Sequence, residues 1–126
     1  MIDIEKHVYH WRTGAEEDLV VAKDLINSSH IRHGLFFLHL CLEKLLKAHV
    51  CHATKDLAPP IHNLPRLARL ASLTFESEQN ELLADLNSFN IEGRYPELLN
   101  PSPSKIEATD YLAKVEDMYL WLTNQF

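Results

Sequence analysis

The chain has 126 residues, a formal net charge of −6 and a hydrophobic content of 46%. This length is typical of a single domain, residues 1–126, which buries roughly two-thirds of its unfolded surface and needs no disulfide or metal to fold. The 21 leucines, against 5 valines and 3 glycines, favour helices over sheets. The acidic balance argues against a protein that coats nucleic acid, although it is compatible with a local basic patch.

We expect neither a membrane span nor a secretory signal. The most apolar run, Leu35 to Leu42, is short and is followed at once by Glu43. The default compartment is therefore cytoplasmic. Cys41 and Cys51 lie on one predicted helix, roughly 15 Å apart along its axis, which is too far for a disulfide within that helix. We expect two reduced thiols.

Two long helices are predicted in the first half of the chain. Over residues 3–28, steps of three and four place one apolar stripe on a helix: Ile4, Val8, Trp11, Ala15, Leu19, Ala22 and Ile26. A serine before residue 31 is available to cap the next helix. In that second helix, residues 31–54, every residue from 35 to 42 except His39 is apolar. A helix that is apolar around its circumference lies at the centre of a bundle or in a subunit interface.

The middle of the chain is divided by prolines. Residues 55–63 cannot form a helix, because Pro59 and Pro60 fix the backbone and remove two hydrogen-bond donors. A short helix over residues 64–73 follows, with Asn63 as its cap.

A fourth helix is predicted over residues 78–91, and residues 93–104, which contain one glycine and three prolines, are predicted to form an irregular loop. The last helix begins at a capping box, in which Ser104 and Glu107 satisfy each other's free amide hydrogens. Its apolar residues then alternate steps of four and three: Ala108, Leu112, Val115, Tyr119, Leu122 and Phe126. The sequence therefore predicts an all-α fold, an antiparallel up-and-down four-helix bundle with one extra short helix.

The common catalytic motifs are missing from the sequence. Three glycines cannot build a phosphate-binding loop or a dinucleotide fingerprint, and there is no nucleophile elbow or HExxH pair. Three histidine pairs have the i, i+3 spacing that can present two imidazoles to zinc or nickel: His7/His10, His30/His33 and His49/His52. No acidic or cysteine side chain completes an obvious ligand set, so we expect no metal and no cofactor.

Lys44 and Lys47 are three residues apart on the second helix, so their ammonium groups share a face and can meet one phosphate. The alternative is an i, i+4 ion pair between Glu43 and Lys47, which at an exposed site contributes only about 0.3–0.5 kcal/mol. Glu43 itself is either such a surface partner or a buried partner of Arg94, because an unpaired buried carboxylate is costly.

Two further short segments have both a functional and a structural interpretation. In His62-Asn63, the structural interpretation of the asparagine is that it only caps the following helix. In Arg94-Tyr95-Pro96, the proline can simply end a helix.

Taken together, these segments resemble the HEPN family, the higher eukaryotes and prokaryotes nucleotide-binding domain. The resemblance covers about residues 8–122 and depends on the order and spacing of four short motifs: Trp11…Ala15…Asp18-Leu19…Ala22…Leu25, Glu43-Lys44-Leu45-Leu46-Lys47-Ala48, His62-Asn63-Leu64 and Arg94-Tyr95-Pro96. It implies an all-α bundle that is usually a homodimer. Members often pair with a minimal nucleotidyltransferase encoded nearby, many as toxin–antitoxin modules, and others are ribonucleases or nucleotide binders. The apolar circumference around Phe36 and Phe37 also suits a dimer.

The ribonuclease branch of this family has an arginine followed, after four to six intervening residues, by a histidine. After Arg94 the matching positions hold no histidine but Leu99, Asn100 and Pro101. An asparagine cannot act as a general acid or base. Arg32 and His39 match the spacing formally, but on the second helix, which is the wrong place for the family. The resemblance therefore implies that no intact ribonuclease motif is present.

We predict a small nucleotide-binding helical bundle, non-catalytic or weakly catalytic and without an intact ribonuclease motif, that acts as a homodimer and as the partner of a minimal nucleotidyltransferase. The predicted contacts are Lys44, Lys47 and Arg94 with phosphate, Tyr95 stacked on the ligand or closing the site, and His62 and Asn63 hydrogen-bonding nearby. Two alternatives remain. One is a metal-independent ribonuclease, which would cleave RNA without added metal. The other is an interaction module that binds no nucleotide.

Overall fold

The structure is a computed structural model that describes residues 2–94 and 102–126, without the side chains of residues 91–94. The described residues form five α-helices and no strand: α1 (Ile4–Asn27), α2 (Ile31–Thr54), α3 (Leu64–Leu70), α4 (Ser77–Arg94) and α5 (Lys105–Thr123). The predicted all-helical fold is confirmed over these residues. The antiparallel up-and-down arrangement of the four long helices stays a prediction.

Helix α2 is the centre of the fold. It packs against each of the other four helices, most extensively against α1. Five of its leucines are almost completely buried: Leu35, Leu38, Leu42, Leu45 and Leu46. The predicted central position of this helix is therefore confirmed, but Phe36, Phe37 and Leu40 of its apolar segment are only partly buried, so the single chain does not surround it completely.

The other helices turn their apolar seams towards α2. The buried members are Ala15, Ala22 and Ile26 of α1, Leu64 and Leu67 of α3, Leu82, Leu86 and Phe89 of α4, and Ala108, Leu112, Val115 and Leu122 of α5. Cys41 and Cys51 are free thiols buried in the same core, as predicted. Within the described part of the chain, no helix has the length and apolar character that a membrane span requires.

Two predicted helix boundaries were wrong. Helix α3 ends at Leu70 rather than at residue 73, because Ser72 adopts a left-handed conformation with φ 59°, which an α-helix cannot continue through. Helix α4 begins at Ser77 and extends to Arg94, so Gly93 is its penultimate residue and does not start the following loop. Glycine costs an α-helix only about 1 kcal/mol relative to alanine and does not by itself end one.

Three of the predicted helix caps can be compared with the structure. Asn63 accepts a hydrogen bond from the Arg66 amide and caps α3, and Ser104 forms the complete capping box with Glu107. The prediction of a serine cap for α2 was wrong. His30 occupies that position without a side-chain hydrogen bond.

The packing of α1 against α2 depends on Gly34. A Cβ atom at this position would lie 2.5 Å from Cγ1 of the fully buried Ile26 and 3.3 Å from the carbonyl oxygen of Ala22. At Gly14, by contrast, a Cβ would lie 3.1 Å from Cδ of Lys44, a flexible and partly exposed side chain.

We therefore expect Gly34→Ala to lower the free energy of unfolding by about 1–3 kcal/mol, because overpacking outweighs the gain in helix propensity. Gly14→Ala, which gains the same propensity of about 1 kcal/mol, is the matched control and should be neutral or stabilising. Urea unfolding of both variants provides the measurement. Equal stabilities for the two would contradict the close approach at Gly34.

Candidate functional site

The polar residues of α2 converge on Glu43, a carboxylate whose side chain is only 6% exposed. The Lys47 ammonium, which is equally buried, lies 3.2 Å from Glu43 Oε2. The ion pair predicted from the i, i+4 spacing is confirmed. However, it lies in the interior and not at the surface, so removing one partner is far more costly than at an exposed pair.

His62 joins this pair from the proline-containing loop. Its Nδ1 lies 3.0 Å from Glu43 Oε1 and 3.2 Å from Oε2. The loop backbone is held as well, because Nε2 of the fully buried His39 donates to the His62 carbonyl oxygen at 3.0 Å. The His62 side chain remains 49% exposed. The result is a buried carboxylate that orients an accessible imidazole.

Lys44 has its own carboxylate partner. Its Nζ lies 2.8 Å from Asp18 Oδ2 of α1, and its side chain is 29% exposed. Lys47 lies instead over the Trp11 ring, 5.2 Å from the centroid. Both lysines predicted to meet phosphate are thus positioned against α1 and ion-paired. Because Lys44 is the more exposed of the two, an incoming anion would reach its ammonium group first.

The loop is fixed to α4 immediately after His62. Asn63 Oδ1 accepts from the Arg66 amide at 2.9 Å, and the Leu64 amide donates to Asn87 Oδ1 at 3.0 Å. Arg94 follows Asn87 by seven residues on the same helix, which is roughly 10 Å along the axis. Helix α4 therefore extends from this contact to the residue predicted to bind phosphate.

Two predicted site residues lie wholly or partly outside the described residues. Arg94 is the last residue of α4, and its side chain is not among those described; Tyr95 is outside the description altogether. Their predicted roles remain predictions.

Arg32 and His39 match the ribonuclease spacing formally, but His39 has a structural role. It is fully buried and holds the loop backbone.

Sequence reasoning missed three polar residues that organise this cluster. Asp18 and Asn87 were not assigned a polar contact, and Glu43 was not recognised as the central residue that binds a lysine and a histidine from two segments. A charged residue within the apolar α2 is one signal that was available, since a buried charge requires partners. The sequence carries no signal that His62, nineteen residues away, supplies one.

The clustered histidines do not assemble a metal site: among the described residues, no three His, Cys, Asp or Glu side chains are grouped so as to hold an ion. His49 is instead part of the core. Its Nε2 donates to the Leu122 carbonyl oxygen at 2.7 Å, and its ring stacks on Phe126 with centroids 3.8 Å apart. Burial lowers the pKa of His49, and the nearby charges of His52 and Arg12 lower it further, against the raising effect of the Leu122 hydrogen bond.

This lowered pKa predicts a loss of stability in mild acid. The unfolded chain binds the His49 proton at about pH 6.5, whereas the folded chain binds it only at lower pH. The contribution of neutral His49 to the free energy of unfolding is therefore complete above about pH 6.5. It declines as the pH falls towards the folded-state pKa, by at most about 1.4 kcal/mol per pH unit. We expect His49→Gln, which keeps a donor for Leu122, to reduce the difference between urea unfolding at pH 7.5 and pH 5.5. The exposed His33→Gln should leave it unchanged.

Two surface grooves lie apart from the Glu43 cluster. One, of about 780 Å³, is formed by the start of α1 and the ends of α2 and α5 and includes Arg12, His52 and Lys55. The other, of about 490 Å³, lies between α4 and α5, and four of its nine lining residues are carboxylates. Neither is lined by Lys44, Lys47, His62 or Asn63, the described residues of the predicted phosphate site, so ligand binding there would be a different result from the one we predict.

Comparison with known proteins identifies the fold. The sequence matches the model of the HEPN domain over residues 8–125. The structure is similar to the crystal structure of TT1696 from Thermus thermophilus, with a TM-score of 0.78 over 94% of this chain and 98% of that one. Their sequence identity is 19%, so this likeness concerns the fold alone. A search of curated proteins gave no match. Because the family model spans most of the chain, the chain belongs to the HEPN domain family, a nucleotide-binding and ribonuclease-type family.

Proposed function

We propose that this HEPN domain binds a nucleotide through its phosphate on the part of the bundle where α2, the proline-containing loop and α4 are joined. We further propose that it acts as a homodimer with a minimal nucleotidyltransferase as partner, in a toxin–antitoxin-like module in the cytoplasm. We also propose that the four long helices run antiparallel, in an up-and-down arrangement. Family membership supports the nucleotide class of ligand.

The observation that carries the proposal is the pair of contacts that joins three segments distant in sequence. Glu43 binds His62, and the Leu64 amide binds Asn87 of α4. Through these contacts the lysine-bearing turn of α2 and the His62-Asn63 loop are neighbours, and α4 extends from the same place towards Arg94. Binding residues held in place before the ligand arrives lose little entropy on binding, which favours affinity.

Within this site we assign Lys44, Lys47 and Arg94 to phosphate. Lys47 donates one of its three N–H groups to Glu43, so two N–H groups remain. Tyr95 would stack on the base or close the site. His62 and Asn63 would hydrogen-bond nearby, through the Nε2 atom and amide nitrogen that their contacts with Glu43 and Arg66 leave available.

Dimer formation is supported by the outer face of α2. Phe36 and Phe37 are only partly buried in one copy of the chain, although they lie on the helix at the centre of the fold. Their rings contact each other edge to face, with centroids 6.1 Å apart. A second copy could cover this aromatic surface.

Calorimetric titration with ATP and with AMP tests the proposal. We expect wild-type affinity in the micromolar range, about −8 kcal/mol. Lys44→Ala should weaken it about 10-fold, at the low end for a charged hydrogen bond because Asp18 already shares the ammonium. The matched control is Lys23→Ala, a more exposed lysine 4.0 Å from a carboxylate on another face, which should bind as wild type. Equal losses in both variants would mean a non-specific charge effect and would count against the site.

A further inference from the structure

The surface groove formed by the start of α1 and the ends of α2 and α5 contains three basic side chains. Arg12 belongs to α1, His52 lies in the last turn of α2, and Lys55 is the C-cap residue of that helix. None of them forms an ion pair with any residue that the structure describes. Because the chain as a whole has a net charge of −6, unpaired basic side chains that meet in one groove are an exception on this protein. Such a concentration of positive charge attracts an anion.

Two of these basic side chains are positioned by the same aromatic ring. The guanidinium carbon of Arg12 lies 4.4 Å from the centroid of the Phe126 ring, and the His52 ring meets it edge to face, with centroids 5.9 Å apart. The neighbouring His49 is sensitive to both, because its pKa is lowered by burial and then further by the charges of His52 and Arg12. Arg12 is half-buried, so its guanidinium is held in place before a ligand arrives and loses little entropy on binding.

Aromatic and apolar side chains line the same groove. They are five of its twelve lining residues: Ile4, Val8, Tyr9, Tyr119 and Phe126. Tyr9 is 72% exposed, so its ring is open to contact with a ligand. Aromatic rings pack edge to face or in offset stacks, which adds to the effect of burial alone. The groove volume of about 780 Å³ lies in the range of small-molecule sites. There is therefore room for an aromatic group beside the basic side chains.

Two carboxylates limit how much negative charge a ligand can carry. Glu5 and Glu16 of α1 also line the groove, and both are exposed. Glu16 follows Arg12 at the spacing of a helix ion pair, but the guanidinium lies over Phe126 instead and stays available. A ligand with one negative charge can pair with Arg12. A second charge would find no surplus of positive charge and would be repelled by both carboxylates.

We propose that this groove binds an aromatic monocarboxylate. The Arg12 guanidinium receives the carboxylate through two parallel N–H donors, with His52 and Lys55 beside it. The aromatic group of the ligand lies against the rings of Tyr9 and Phe126. This site goes beyond the proposed nucleotide site and shares none of its residues.

The test is a titration of the isotopically labelled full chain, followed in amide nuclear magnetic resonance spectra. Four compounds with one common phenylbutyl group are compared: phenylbutyrate, phenylbutanol, phenylbutylamine and phenylbutyl phosphate. We expect phenylbutyrate to bind with a Kd of about 1 mM, as is ordinary for a ligand of this size. Its shifts should occur at residues 4–16, 52–55 and 119–126. Phenylbutanol and phenylbutylamine should bind about 10-fold more weakly, because they cannot accept the charged hydrogen bonds, and the doubly charged phosphate should also bind more weakly than the carboxylate.

Variants of the groove separate the role of Arg12 from general charge. Arg12→Gln should weaken phenylbutyrate binding about 10-fold, whereas Arg66→Gln, which removes an exposed arginine of α3 outside the groove, should bind as wild type. The double variant Glu5→Gln with Glu16→Gln leaves all three basic side chains in place. It should strengthen binding about 3-fold by removing repulsion, and it tests the site even if Arg12→Gln is unstable.

Several results would overturn the proposal. These are the lack of shifts at tens of millimolar phenylbutyrate, equal binding of phenylbutanol, tighter binding of the phosphate, or wild-type affinity in a folded Arg12→Gln variant. Phenylbutyrate shifts confined to residues 43–47 and 62–64 would place its binding elsewhere and would also overturn it. AMP should bind to Arg12→Gln as to wild type, so the nucleotide site and the carboxylate site can fail separately.

Discussion

Replacement of Glu43 by alanine is expected to lower the free energy of unfolding by about 3–5 kcal/mol. The reason is that Lys47, whose side chain is 6% exposed, would keep its charge in the interior without the carboxylate that now lies 3.2 Å away. The accessible His62 would lose its contact to α2 at the same time. Urea unfolding followed by circular dichroism measures the loss, and a variant too unstable to purify is replaced by Glu43→Gln, which should show a smaller effect of the same sign.

Two controls separate the effect of burying the Glu43–Lys47 pair from the effect of forming an ion pair of this spacing. Asp110 and Lys114 form an ion pair of the same i, i+4 spacing at 3.1 Å, but both are exposed, so Asp110→Ala should leave stability unchanged within error. The double variant Glu43→Leu with Lys47→Leu removes both charges and should recover much of the stability lost in Glu43→Ala. If the two single alanine variants were equally stable, the buried network would not stabilise the fold as described.

Replacement of Arg94 by alanine is expected to reduce affinity for ATP and AMP by about 30-fold or more, to below detection if wild type binds in the micromolar range. A guanidinium is the side chain best matched to phosphate, since it offers two parallel donors and stays charged. In our proposal it is carried to the ligand by the end of α4, which Asn87 connects to the loop at Leu64. Calorimetric titration measures the change.

Arg94→Lys is the informative control for this prediction. It keeps the positive charge and loses the planar fork, so an affinity between those of wild type and Arg94→Ala is expected. Wild-type affinity in Arg94→Ala would exclude this residue from the site, and an equal loss in both variants would show that the charge alone is not enough.

The sequence determined the helices more fully than it determined the site. Steps of three and four predicted α1 and α5, and the apolar circumference of α2 predicted its central position, because both are local patterns. The capping box at Ser104 was equally local and was confirmed. The errors arose where the backbone conformation of one residue decides the end of a helix, as at Ser72, or where a glycine was taken as the end of a helix, as at Gly93.

The arrangement of the site depended on contacts between segments distant in sequence. Spacing predicted the Glu43–Lys47 pair, because both residues are on one helix. Spacing carried no information on whether the pair is buried, nor on the approach of His62 across nineteen residues or of Asp18 from α1. Such contacts follow from how the helices pack, and a single sequence does not report them.

The measurement that most directly tests the central claim is the titration of isotopically labelled protein with AMP, followed residue by residue in amide nuclear magnetic resonance spectra. The account predicts that the largest shifts occur at residues 43–47 and 62–64 and at the end of α4, with little change elsewhere. Shifts confined to the groove that includes Arg12 and Lys55, or no shifts at millimolar AMP, would contradict a phosphate site beside Glu43 and His62.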